Sequence, residues 1–206
     1  DANPSEICKI FSHAKIIGRR FKIVHVYISE KKYFEVTTFR SDVKNKSSQK
    51  KFQKTHGMIR RDNFFGNISQ DAFRRDFTVN SLYLDLDSKI LHDYVNGFED
   101  IKAKKLKLIK KPSISYQEDP VRMLRAVRFE SKLDFKLTSE CKESIINMSH
   151  LINNVPPYRL FDEILKIVHS GKGEKGYKKL REMNLFKYLF PFTNKILKDF
   201  SIYDDF

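Results

Sequence analysis

The segment Arg74-Arg75-Asp76-Phe77-Thr78-Val79-Asn80 sets two guanidiniums beside a carboxylate, with an amide four residues after the acid. A helix running from about Gln70 to Leu82 behind Ser69 puts Phe73, Asp76, Phe77 and Asn80 on one stripe. The planar fork of Arg75 can grip phosphate oxygens, and Asp76 can accept from a ribose hydroxyl or help hold a metal-bound nucleotide. A plain ion pair within the helix would use the same residues. A second segment, Glu118-Asp119-Pro120-Val121-Arg122-Met123-Leu124-Arg125-Ala126-Val127-Arg128-Phe129, spaces Asp119, Arg122 and Arg125 by three, so that they share a face. Pro120 suits the first helical position with Asp119 near the cap, while Met123, Leu124 and Val127 turn towards a core. An acceptor beside a forked donor makes an edge that can match a nucleobase instead of a phosphate. Internal ion pairs are again the alternative.

The elements that must position these groups follow from pattern. Asn3-Pro4 before Ile7, Ile10 and Phe11 reads as a capped helix with proline at its first position. Residues 21–28 and 33–39 are β-branched and aromatic, and Ser29–Lys32 suits a hairpin between them. A period of two places Glu35 in mid-strand on the face of Tyr33, Thr37 and Phe39. Residues 41–57 read as a mobile basic loop. Short strands are expected at 83–86, 89–94 and 105–109, with Asp85-Leu86-Asp87 in a hairpin and turn. Helices are expected at 119–132, 139–152 behind Thr138, 157–170 ending at Gly171, and 174–183. Strands with helices, then helices alone, give an α+β chain of two parts with a boundary near 112.

The 206 residues are 40% apolar, including 18 Phe and 9 Tyr, enough for a core and against wholesale disorder. No apolar run approaches the ~20 residues of a membrane helix, and no leader is visible, so no membrane association is expected. Asp1 in place of Met suggests a piece of something longer. Two distant cysteines, Cys8 and Cys141, read as thiols in a reducing compartment, hence a cytoplasmic location. The net charge is +14, and residues 44–61 hold seven Lys or Arg and residues 102–111 six, with no acid in either. Such clusters attract phosphate backbones, although a solvated lysine-rich face would look alike.

Taken together and in order, the two segments strongly resemble the nucleotide-site motifs of the bacterial poly(A) polymerases, in the superfamily that includes the CCA-adding tRNA nucleotidyltransferases. Asp93-Tyr94-Val95-Asn96-Gly97-Phe98-Glu99-Asp100 resembles the link between head and neck there, and Pro156-Pro157-Tyr158-Arg159-Leu160-Phe161-Asp162-Glu163 the neck motif. Ile16-Ile17-Gly18-Arg19-Arg20-Phe21-Lys22-Ile23-Val24-His25-Val26 is similar to the stretch that separates poly(A) polymerases from CCA-adding enzymes. The resemblance runs from Asp1 to about Ile196.

It implies a nucleotidyltransferase head over residues 1–112, with an incomplete mixed or antiparallel sheet lacking its first strands. A helical neck with base-recognition and RNA-binding parts follows over 113–206. The implied activity is template-independent addition of AMP from ATP to RNA 3′ ends, with two Mg2+ ions held by an Asp-x-Asp pair. That pair lies upstream of the segment resembled by Asp1-Ala2-Asn3-Pro4, so the chain as it stands is expected not to polymerise. Residue by residue, the resemblance makes Asp76 an active-site aspartate and Arg75 a triphosphate contact, with Asn80 beside them. Asp119 and Arg122 read the base edge, and Arg125 and Arg128 make further nucleotide contacts. Glu35 becomes an acid on the strand beside the metal pair, and Arg159 and Glu163 a neck pair that braces the site. Lys50, Lys51, Lys54, Arg60, Arg61, Lys104 and Lys105 are expected to hold RNA, and a monomer is expected. A CCA- or A-adding tRNA nucleotidyltransferase is the alternative, and a non-catalytic RNA-binding module is the alternative of another class.

Overall fold

The computed structural model describes residues 2–18, 22–41 and 64–199. Residues 42–57 of the expected basic loop, Lys50, Lys51, Lys54, Arg60, Arg61 and the Arg19-Arg20-Phe21 part of the discriminating stretch lie outside the described residues, while Ser41, the first residue of that loop, is buried in a short strand. The fold is α+β, and the chain separates into two compact units at Arg74–Arg75. The boundary read from the pattern of elements, near 112, falls within the second unit.

The first unit opens with α1 (Pro4–Ile10), where Asn3 and Glu6 form a reciprocal capping box and Pro4 begins the helix. Then come β1 (Ala14–Ile17), β2 (Ile23–Ser29) and β3 (Lys32–Val36), an antiparallel sheet in the order β1-β2-β3. His25 is in register with Lys15 on one side and Glu35 on the other. Val24, on the opposite face, is fully buried. β4 (Arg40–Ser41) pairs antiparallel with β5 (Phe64–Phe65), and α2 (Ile68–Arg74) ends the unit.

The expected helix over 70–82 is therefore corrected at both ends. Asn67, not Ser69, caps α2: its side chain accepts from the Gln70 amide at 2.9 Å while Gln70 accepts from its own amide at 3.0 Å. The helix stops at Arg74 because the next residues are drawn into tertiary pairing. Ile109 donates its amide to the Asp76 carbonyl, Thr78 donates to Lys107, and buried Phe77 bridges Leu108. Asp76 and Asn80 consequently lie on a bend and a 3₁₀ turn (Thr78–Asn80), not on the stripe of one helix.

The second unit continues with β6 (Leu82–Leu84) and β7 (Leu91–Asp93), an antiparallel hairpin. Asp85-Leu86-Asp87 sits in its turn as expected, with Asp85 accepting from the amides of Asp87 and Ser88 and from the Ser88 hydroxyl. α3 (Gly97–Lys102) and β8 (Lys105–Leu106) follow, then α4 (Pro112–Glu118), α5 (Val121–Leu133) and β9 (Lys136–Leu137). β8 pairs with β9 in parallel. α6 (Ser139–Met148) starts at the Thr138 cap and passes into a 3₁₀ segment, Ser149–Asn154. α7 (Pro157–Val168), α8 (Gly173–Glu182), α9 (Phe186–Leu189) and α10 (Pro191–Asp199) complete the described chain. Gly171, with φ +76°, makes the turn after α7.

The helix expected over 119–132 is present as α5, starting two residues later, and an unexpected helix, α4, precedes it. Asp119 is the C-cap of α4, Pro120 the N-cap of α5, and Val121 the first residue of α5. The strand expected at 105–109 is two residues long, with Leu108 in an isolated bridge. α5 supplies Met123, Leu124, Ala126 and Val127 to a core completed by Phe77, Leu106, Leu108, Tyr116, Ile145, Ile167 and Leu180. No described helix is long and apolar enough to cross a membrane.

Candidate nucleotide site

The two segments that carry the chemistry meet in the second unit. Arg125, on α5, donates Nε to Oδ2 of Asp76 at 2.6 Å across 49 residues of sequence. Oδ1 of Asp76 accepts from the Phe77 amide at 2.8 Å and from Asn80 Nδ2 at 3.1 Å. Asp76 is 9% exposed. Burial pushes its carboxyl up, but the Arg125 charge and the bonds from Arg125, Asn80 and Phe77 outweigh it, so the pKa lies below the usual value. Asp76 is thus an ionised acceptor held by a cation.

Arg75 donates Nη1 to the Asn80 carbonyl at 3.1 Å, and its guanidinium lies 5.2 Å from the Tyr83 ring centre. The link segment is tied in as well. Thr78 donates its hydroxyl to Asp100 at 2.7 Å. Asp93 accepts from the amides of Val95, Gly97 and Phe98, which offset its desolvation and hold its pKa low. This carboxylate fixes the start of α3, where Asn96 adopts a left-handed conformation at φ 61°.

At the other end of the site, Asp119 and Arg122 are held by different protein groups. Asp119 takes a two-pronged bond from Arg159 on α7, at 3.1 and 2.8 Å. Arg122 donates to the Ser115 carbonyl and hydroxyl and to Glu118, and every one of these contacts uses Nη1. The backbone explains the divergence: Asp119 stands in the break between α4 and α5, so the three-residue spacing does not translate into a common helix face. Arg128 donates to Glu163 at 2.9 Å, and buried Glu163 also receives Lys166, with Arg125 Nη1 4.0 Å away. The neck residues Arg159 and Glu163 therefore each hold a different residue of the second segment. Ser115 and Glu118 were missed as partners of Arg122; only Glu118 had a signal, its four-residue spacing from that arginine.

Lys104 and Lys105 are exposed near and on β8. Glu35, on β3 of the first unit, is exposed and lies 3.6 Å from His25. Among the described residues no group of three or more His, Cys, Asp or Glu converges as a metal ion requires. Asp76 offers a single carboxylate, with one oxygen bonded to Arg125 and the other to Phe77 and Asn80. The described residues therefore do not fit a magnesium centre.

The poly A polymerase head domain model matches residues 1–107, and the model described as the probable RNA and SrmB-binding site of polymerase A matches residues 134–197. Poly(A) polymerase I of Haemophilus influenzae is 46% identical over 195 residues, covering 93% of this chain and 42% of that protein. The CCA-adding enzyme of Bacillus subtilis is 31% identical over 195 residues, covering 95% and 47%. The crystal structure of the Bacillus stearothermophilus CCA-adding enzyme in complex with CTP superposes with a TM-score of 0.72 at 26% identity, covering 89% of this chain and 42% of that one. This chain spans less than half the length of these relatives. With the head model matching more than half of its residues, the chain belongs to the poly(A) polymerase head-domain family.

Proposed function

We propose that the protein to which these residues belong transfers AMP from ATP to RNA 3′ ends without a template. The observation that carries this reading is the Asp119 carboxylate, pinned in two places by Arg159 three residues before Arg122. A base edge is selected when donor and acceptor are fixed before it arrives, since a mismatched edge leaves buried groups unpaired. Asp119 retains lone pairs for the adenine amino group, and Nη2 and Nε of Arg122 are the donors for a ring nitrogen. Arg75 and Arg128 would meet the phosphates, and Arg125, locked to Asp76, would hold the two segments in register. The exposed Lys104 and Lys105 would contact RNA phosphates. The head is taken to run to about residue 112 and the neck beyond it. Magnesium would supply charge stabilisation to this chemistry. The protein is read as a monomer of the cytoplasm.

The test is nucleotide selectivity in the polymerising protein. Arg159→Ala releases Asp119 and should raise KM for ATP roughly ten-fold or more while relaxing the preference for ATP over CTP. Arg122→Ala should do the same. Selectivity unchanged in both would mean that the base is read elsewhere. Efficient CTP incorporation by the wild type onto tRNA lacking its terminus would replace this reading with CCA addition.

A further inference from the structure

We propose that the open face of the β1-β2-β3 sheet is a stacking platform for single-stranded RNA, with Tyr33 and Tyr27 as ring surfaces and Lys15 as a phosphate contact. The proposal rests on RNA being the substrate, and it adds a site in the first unit. The strand register puts Lys15, His25, Tyr27, Tyr33 and Glu35 on the face opposite buried Val24. His25 and Tyr33 stack with centroids 4.0 Å apart and planes at 12°, and Tyr27 tilts against Tyr33 at 5.5 Å. Cross-strand packing explains the His25–Tyr33 contact, but it leaves Tyr33 43% exposed.

Beside Tyr27 lies a cavity of about 660 Å³, lined by Ser12, His13, Lys15, Ser29 and Glu30 among others. That volume suits one nucleotide and is too small for a duplex. Lys15 Nζ stands 5.7 Å from the Tyr27 ring centre, and Lys31 and Lys32 are exposed at the hairpin tip. Exposed Glu35 repels phosphate at one end of the face, so the RNA backbone runs on the Lys15 side. Stacking uses the ring face that every base has, so the platform tolerates any sequence, as an untemplated and growing 3′ end demands.

The experiment measures binding of a labelled oligoadenylate to the full 206-residue chain by fluorescence anisotropy across a salt series. Tyr33→Leu should weaken binding about five-fold or more with the melting temperature unchanged, while Tyr33→Phe restores affinity. Lys15→Gln should lower the slope of log affinity against log salt by about one. If Tyr33→Leu fails to fold, the exposed Lys15 variant decides. Wild-type binding with no change in either variant overturns the platform and leaves RNA as substrate. Absence of wild-type binding overturns the platform together with the RNA reading of this chain. Duplex RNA binding as tightly as the single strand, with the same loss in Tyr33→Leu, also overturns it.

Discussion

Replacing Arg125 by Met removes the cation that holds Asp76 and leaves most of the side-chain volume in place. Two limits bracket the cost. Stripping one partner from a fully buried pair costs about 3–5 kcal/mol, and an exposed pair contributes about 0–1 kcal/mol. Asp76 is 9% exposed, but the Arg125 side chain is 32% exposed, and Asp76 keeps the Phe77 amide and Asn80 as donors. The expected loss is therefore about 2 kcal/mol, or roughly 4–8 °C in Tm for a chain of this size. The pH dependence separates a charge effect from a packing effect. The Asp76 pKa is lowered on folding, so its contribution is fully present above the ordinary carboxylate value and is lost as pH falls through the folded pKa. The gap between wild type and Arg125→Met, read from urea midpoints at constant slope, should hold from pH 7 to about 5 and narrow below about 4. A gap of the same size at pH 7 and pH 2 would refute the electrostatic argument. So would a variant as stable as wild type.

Gly97→Ala should destabilise by about 1–3 kcal/mol, because its Cβ would stand 2.2 Å from the Thr78 carbonyl oxygen and 2.9 Å from its carbon. A urea midpoint identical to wild type would show that α3 is not seated on that turn. The thiols should behave differently: Cys141 is 1% exposed with its pKa pushed up by burial, whereas Cys8 is half-buried. Ellman's reagent should titrate Cys8 alone in the native protein and both in denaturant, and rapid native reaction of both would contradict the burial of Cys141.

Features whose cause is local were legible in the sequence. The Asn3-Pro4 start of α1, the hairpin around Ser29–Lys32 and the Thr138 cap each depend on neighbours within a few residues, and each is present. What escaped the sequence has distant causes. α2 ends at Arg74 because Phe77 bridges Leu108, 31 residues on, and periodicity does not register such a partner. α4 was hidden because Ser113, Ser115 and Gln117 break any apolar stripe over 112–118. The site shows the same division. Residue types in the two segments pointed to carboxylates beside guanidiniums, but not to the groups that hold them: Asp119 is bound by Arg159, forty residues away. Spacing rules presume one continuous helix, and the break at Asp119–Pro120 removes that premise.

The parallel rungs between Lys105-Leu106 and Lys136-Leu137 stitch the stretch before residue 112 to the helices after it. Leu106 and Leu108 are hidden by α5 and its neighbours in one continuous hydrophobic interior. Severing the chain at 112 would remove both leucines from the core they share with α5, so a clone that starts there should expose that apolar face and be sticky and poorly ordered. The piece from Arg75 onward should then melt as one unit, and a ligand that tightens the Asp76 corner should also slow proteolysis of the distal helices.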